Sequence, residues 1–235
     1  MSQNPKPHFT IFCPIHSELS PPTKWLLQNL KYSGEHSFVI HQSAKHINGR
    51  NDTHTKYLNC SNARNEAKAK ALARGREWFI SLDSDVVPPV NFLELYADAI
   101  ATIGPRSRKM EVIGGWYPQK GFYKNVTFNK RTKQREVYTF QKWVAGRWVA
   151  KDSFSHYIEP RRREWAPSNM VPLGCCLMHR SLLELTEFKS GCDNVCKDAQ
   201  SGMELMLGEC LEFGIQVEKL GTDIFMHPKI VCRHV

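Results

Sequence analysis

Asp83 and Asp85, separated by Ser84 and set just after the apolar run Trp78-Phe79-Ile80, are the residues of this 235-residue chain best placed to do chemistry. A strand that ends in Asp-x-Asp delivers its carboxylates to the C-terminal edge of a sheet, where open α/β sheets bind ligands. Two hard oxygen donors there suit Mg2+ or Mn2+, and such ions commonly carry phosphates. The plain alternative is a polar turn after a strand, so the surroundings decide between the two.

The elements that must position this pair read as an alternation. Residues 8–13 (HFTIFC) predict a buried strand stopped by Pro14, and Pro21-Pro22 opens a helix with Trp25, Leu26 and Leu30 on its apolar side. Residues 37–40 predict a second strand, and residues 62–74, rich in Ala and Lys, a helix ended by Gly75. The third strand, 78–82, runs into the aspartates, and Pro88-Pro89 starts a helix through Ile100. Val112-Ile113 forms a short strand before Gly114-Gly115. This β-α-β-α-β-α-β order implies an α/β fold with a mostly parallel sheet covered by helices. Further on, 170–178 predicts an apolar strand containing Gly174, and 181–185 the start of a helix. Residues 201–213 predict another helix, with Gly214 as its stop. Two apolar stretches, 224–226 and 229–235, close the chain.

Composition bounds the class. Hydrophobic residues are 41% of the chain, enough for an ordinary core, and no apolar run reaches the roughly 20 residues that span a bilayer. The first residues, MSQNPKP, lack the apolar centre of a signal peptide, which leads to the expectation of one soluble, cytoplasmic domain over 1–235. Its eight cysteines are then expected as reduced thiols, and the sequons at Asn51, Asn59 and Asn125 carry no weight without secretion. Cys192, Cys196 and Cys232 with the late histidines make a poor zinc spacing.

The net charge of +9 is concentrated in one segment. Between Tyr123 and Arg163 lie eleven Lys/Arg (Lys124, Lys130, Arg131, Lys133, Arg135, Lys142, Arg147, Lys151, Arg161, Arg162, Arg163) against Glu136, Asp152 and Glu159, a local excess of +8. Residues 126–128 and 137–140 predict two strands around Asn129-Lys130-Arg131-Thr132-Lys133, and Trp143-Val144 and Trp148-Val149 flank a second turn. The charge is interleaved with Tyr123, Phe128, Tyr138, Phe140, Trp143, Trp148, Phe154 and Tyr157. Cations for phosphates and rings for stacking are the physics of nucleic-acid binding, although rings also carry sugars and pack hairpins.

Taken together, Asn62-Ala63-Arg64-Asn65 on its alanine-rich helix and the strand-end Asp83-Ser84-Asp85 resemble the nucleotide-sugar half of a GT-A fold glycosyltransferase, closest in type to family 2 and its small phage-like relatives. Pro14-Ile15-His16-Ser17-Glu18 is similar to that family's Pro-x-x-x-Glu after the first strand. Residues 112–117 are similar to its strand after the Asp-x-Asp helix, 172–180 to its Gly-containing acceptor-side strand, and Phe213-Gly214 with the late His234 to its C-terminal end. The resemblance covers residues 8–118, the donor half, and 171–235, the acceptor-side half with the last metal ligand; the basic insertion 119–170 lies outside it.

The resemblance implies transfer of a sugar from a nucleotide diphosphate sugar, most commonly a uridine diphosphate sugar, with Mn2+ or Mg2+, and with inversion. It implies Asp85 and His234 as metal ligands, with His227 as the competing histidine, and Asp83 bridging metal and ribose. Arg64 would approach the base or diphosphate, where a permanent cation fits. Glu18 would meet the nucleobase, Pro14, His16 and Ser84 belong to the same donor segments, and Gly174 would let a backbone approach the substrate.

Inversion needs a general base for the acceptor hydroxyl. Relatives place an acidic residue at the start of the helix before the late Gly. Counted back from Gly214 that slot falls at Met203, so Glu204 is the first candidate and Asp198 the second. Either can instead serve the helix alone, Asp198 as an N-cap and Glu204 on a solvated face. Two acceptors suit the basic insertion: a hydroxymethylated base in DNA, flipped from the stack, or a saccharide or lipid-linked sugar at an anionic membrane. A non-catalytic binding protein on the same scaffold and a nucleotidyltransferase are the remaining readings.

Overall fold

The structure, a computed structural model, describes residues 5–15, 18–43, 53–103, 112–116, 124–129, 134–144, 147–150, 166–168, 173–189, 191–197, 204–207, 209–222 and 224–235. In chain order the first part of the chain contains β1 (Phe9–Ile15), α1 (Pro21–Gln28), β2 (His36–Gln42), α2 (Thr53–Leu72), β3 (Trp78–Leu82), β4 (Val86–Val87), α3 (Phe92–Ile103) and β5 (Val112–Trp116). The insertion contributes β6 (Lys124–Asn129), β7 (Gln134–Val144), β8 (Arg147–Ala150) and β9 (Ala166–Ser168). The remainder is β10 (Cys175–His179), α4 (Arg180–Leu185), β11 (Gly191–Lys197), β12 (Glu204–Leu207), α5 (Glu209–Lys219), β13 (Ile224–Val231) and β14 (Arg233–His234).

Seven strands form the central sheet in the order β2-β1-β3-β10-β5-β13-β9. β1, β2, β3, β5 and β13 run in one direction, and β10 and β9 run against them. The sheet is therefore mixed and mostly parallel, as expected. The strand containing Gly174 was expected from 170; it begins at Cys175 and is inserted antiparallel between β3 and β5, with Cys175 opposite Leu82 and Cys176 opposite Gly114. Nothing in its own residues sets that direction, which depends on its neighbours.

Alternation along the strands builds two cores. Phe12, Phe79, Val112, Cys176 and Met178 face Ala67, Ala71, Leu182, Leu183, Phe213 and Val217, under α2, α4 and α5. Phe9, Ile11, Ile80, Leu82, Ile113, Cys175 and Leu177 face Phe92, Leu93, Tyr96 and Ala97 of α3. In α2 the buried Ala63, Ala67 and Ala71 recur every four residues, so one helical face of small side chains lies close on the sheet. Ser20 caps α1 by accepting the Thr23 N–H at 3.3 Å, with prolines at the first helical positions. Gly75, at φ +72°, ends α2 as expected, in the left-handed region that glycine enters without strain.

Two expectations are corrected. β1 continues through Pro14 to Ile15, because its partner β2 pairs in parallel up to Gln42. The helix expected over 201–213 is instead β12 followed by α5, which runs through Gly214 to Lys219 and is followed by Gly221 at φ +70°. The insertion carries the two expected hairpins as one meander, β6-β7-β8, with Asn129 opposite Gln134 and Val144 opposite Arg147.

Candidate active site

The Asp83-Ser84-Asp85 turn leaves β3 at the C-terminal edge of the sheet, and its backbone is held on every side. The Asp83 N–H donates to the Gly174 carbonyl at 3.0 Å, and the Val86 N–H closes the turn on the Asp83 carbonyl at 3.2 Å. The Ser84 carbonyl accepts the Ser20 N–H at 3.1 Å, tying the turn to the start of α1. The Asp85 carbonyl accepts the Val235 N–H at 2.9 Å, and β4 pairs antiparallel with β14, Val86 opposite His234. The two aspartates are thus presented from a rigid turn rather than a loose loop.

That last pairing brings the end of the chain onto the turn. His234 Nε2 lies 3.1 Å from Asp85 Oδ2. The imidazole is mostly covered, at 17% side-chain exposure, while Asp85 keeps 41%, so the pair opens to solvent on the carboxylate side. His227 has a different fate. It is 4% exposed, its Nδ1 accepts the Lys229 N–H at 3.1 Å, and its ring meets Tyr96 edge-on, within the α3 side of the molecule. Burial, the largest cause, drives its pKa down to about 3, so it is a neutral packing residue.

Arg64 reaches the same turn from α2 and is almost entirely buried. Nη2 donates to Asp83 Oδ1 at 2.7 Å, Nη1 to Ser81 Oγ at 2.6 Å, and Nε to Glu209 Oε1 at 2.7 Å. Burial opposes the charge, but the two carboxylates outweigh it and hold the guanidinium well above its usual pKa. Burial also pushes the Glu209 carboxyl above the ordinary range, against the pull of Arg64. Cys13, buried in β1, is pushed up to about 12, by burial first and then by Asp83, so it supplies no thiolate here.

Glu209 is the residue that sequence reasoning missed. It opens α5, whose first turn carries Glu209 and Glu212, a placement the helix dipole favours. The signal was present as acidic residues at a helix start, but taking Gly214 as the helix stop moved the count upstream. Glu204 instead lies in β12, paired opposite Lys197. Asp198 and His16 lie outside the described residues. Pro14 pairs with His41 at the C-terminal end of β1, and Glu18 is exposed just before the α1 cap. Gly174 approaches Asp83 itself, through its carbonyl.

Among the described residues no three His, Cys, Asp or Glu side chains converge on one point to hold a metal ion. Asp85 and His234 do meet, and a hard oxygen with an imidazole nitrogen suits Mn2+ or Mg2+ when phosphate oxygens and water complete the shell. The donor set therefore fits a metal shared with a substrate rather than an all-protein cage.

No protein-family model matches the chain, and no curated protein matches it. Among solved structures it is similar to GalNAc-T7 crystallised with UDP, GalNAc and Mn2+, with 14% identity and a TM-score of 0.50 over 99% of this chain and 44% of that one. It is also similar to A197 from STIV, with 16% identity and a TM-score of 0.47 over 97% of this chain and 85% of that one. The chain has a GT-A-type fold, a mixed and mostly parallel sheet flanked by helices. Among the described residues, no helix is long and apolar enough to cross a membrane.

Proposed function

We propose that this chain is a metal-dependent glycosyltransferase that moves a sugar from a nucleotide diphosphate sugar to an acceptor hydroxyl. The observation that carries this reading is the meeting of Asp85 and His234 beside Asp83, at the sheet edge where α/β folds bind ligands. The fold shared with GalNAc-T7, solved with UDP, GalNAc and Mn2+, supports it.

In this reading Asp85 and His234 hold the Mn2+ or Mg2+. The bound metal supplies neutralisation of the negative charge that develops on the diphosphate leaving group. Asp83, fixed by Arg64 and by the Gly174 carbonyl, orients the ribose side of a uridine diphosphate sugar, and Ser84, Pro14, His16 and Glu18 are proposed as further donor contacts. Glu209 takes the acceptor proton and is proposed ahead of Glu204 and Asp198, because the guanidinium that holds Asp83 also holds Glu209. Its raised pKa makes it a better proton acceptor than an ordinary carboxylate.

The basic insertion 119–170 is proposed to hold the acceptor. Its excess of +8 favours a phosphate-bearing partner, and a hydroxymethylated base in DNA is the proposed acceptor, ahead of a saccharide or lipid-linked sugar at an anionic membrane. Thermal melting with Mn2+ and a panel of nucleotide diphosphate sugars tests the donor site, since a ligand that binds only the folded state raises Tm. No shift with any member of the panel would overturn the reading. A gel shift on duplex DNA over a salt series tests the acceptor, and absence of binding at low salt would exclude DNA.

A further inference from the structure

We infer that Arg64 is the positioning residue of this site: a buried guanidinium fork that sets Asp83, on the donor side, against Glu209, on the acceptor side. The inference rests on the glycosyltransferase reading for its consequence, and on geometry alone for the clamp.

Four of the five guanidinium N–H groups are spent inside the protein. Besides the bonds to Asp83, Ser81 and Glu209, Nη1 also donates to the Leu173 carbonyl at 3.5 Å. The partners come from four places: the end of β3, the turn after it, the residues before β10, and the first turn of α5. With 6% side-chain exposure, the guanidinium presents no open face to a phosphate. A cation built to bind a diphosphate keeps donors toward solvent, whereas this one has turned them inward.

The neighbouring residues complete a bracket. Asn65 accepts the Phe188 N–H at 3.0 Å and donates to the Phe188 carbonyl at 2.7 Å, fixing that backbone in both directions. The Phe188 ring lies 5.6 Å from Arg64 Cζ and stacks on Phe213 at 5.5 Å. Phe213 is one helical turn after Glu209, so two consecutive residues of α2 locate the start of α5 by charge and by ring packing. Lysine has no fork and cannot span the same partners from one point charge.

The test uses Arg64→Lys, Arg64→Ala, Arg64→Met, Glu209→Gln and the double variant Arg64→Met/Glu209→Gln. Melting without any ligand comes first. Arg64→Met should lower Tm by burying an uncompensated carboxylate, and adding Glu209→Gln should restore part of the loss. Equal or additive loss in the double variant would overturn the clamp. Activity comes second. Arg64→Lys should lower kcat by about 100-fold with donor KM changed less than about 3-fold, as expected for misplaced groups. In Arg64→Ala, low and non-denaturing guanidinium should restore turnover. A large rise in donor KM with kcat retained, or unchanged kinetics in Arg64→Lys, would overturn the inference. If wild-type protein shows no shift with Mn2+ and uridine diphosphate, the glycosyltransferase reading fails, while the ligand-free melting cycle still tests the clamp.

Discussion

Asp85 and His234 are 149 residues apart in the chain, yet their Oδ2 and Nε2 atoms lie 3.1 Å apart because β14 pairs with β4 immediately after the aspartate turn. If this pair holds the metal, Asp85→Ala and His234→Ala should each lower Mn2+-dependent hydrolysis of a nucleotide sugar by about 10²–10³-fold, the scale of losing a charge-stabilising contact. Asp85 is 41% exposed and its removal should hardly change Tm, whereas loss of the mostly covered His234 should lower Tm modestly. Hydrolysis at the wild-type rate would refute the metal role.

Glu209 and Glu204 can be separated by parallel substitution. Glu209→Gln should reduce transfer by about 10²–10⁴-fold, the range of general base catalysis, with donor binding retained. Glu204→Gln, placed in β12 opposite Lys197, should leave most of the transfer rate. The opposite ranking would return the base to Glu204.

The insertion should act on the acceptor alone. Replacing Lys130, Arg131 and Lys133 by glutamine should weaken use of a polyanionic acceptor and flatten its salt dependence, with donor hydrolysis unchanged. Those residues lie outside the described ones, so the expectation rests on their charge. Equal loss of both activities would mean that the segment serves the fold.

His227 predicts an acid-sensitive fold. Its folded pKa is depressed to about 3 from 6.5, so its contribution is intact above about pH 6.5 and is lost as pH falls toward 3, because only the unfolded chain takes up the proton. At pH 5 the cost is about 2 kcal/mol. His227→Asn keeps an acceptor for the Lys229 N–H and should narrow the difference in urea stability between pH 7 and pH 5. An unchanged difference would assign the acid sensitivity elsewhere.

Gly115 is a packing constraint between β5 and the end of the chain. A Cβ there would lie 2.8 Å from Ile230 Cγ2 and 3.1 Å from Cys232 Sγ. Gly115→Ala should destabilise the protein by about 1–3 kcal/mol, measured by urea unfolding, because both neighbours are themselves buried. A neutral substitution would show that the strands can separate there without cost.

What the sequence determined by itself was local. Short, almost continuous apolar runs set β1 and β3 as buried strands, an alanine-rich stretch set α2, and the carboxylates after 82 marked the sheet edge. These follow from side-chain hydrophobicity and backbone preference within a few residues. The direction of β10, the placing of His234 beside Asp85 and of His227 against Tyr96, and the joining of Arg64 to Glu209 across 145 residues depend on the tertiary structure. Residues 227 and 234 are both late histidines, and only strand pairing buries one against Tyr96 and brings the other to Asp85. Glu209 stayed hidden for the same reason: where α5 starts depends on what its first turn packs against, and a count from Gly214 carries no information about a guanidinium on another helix.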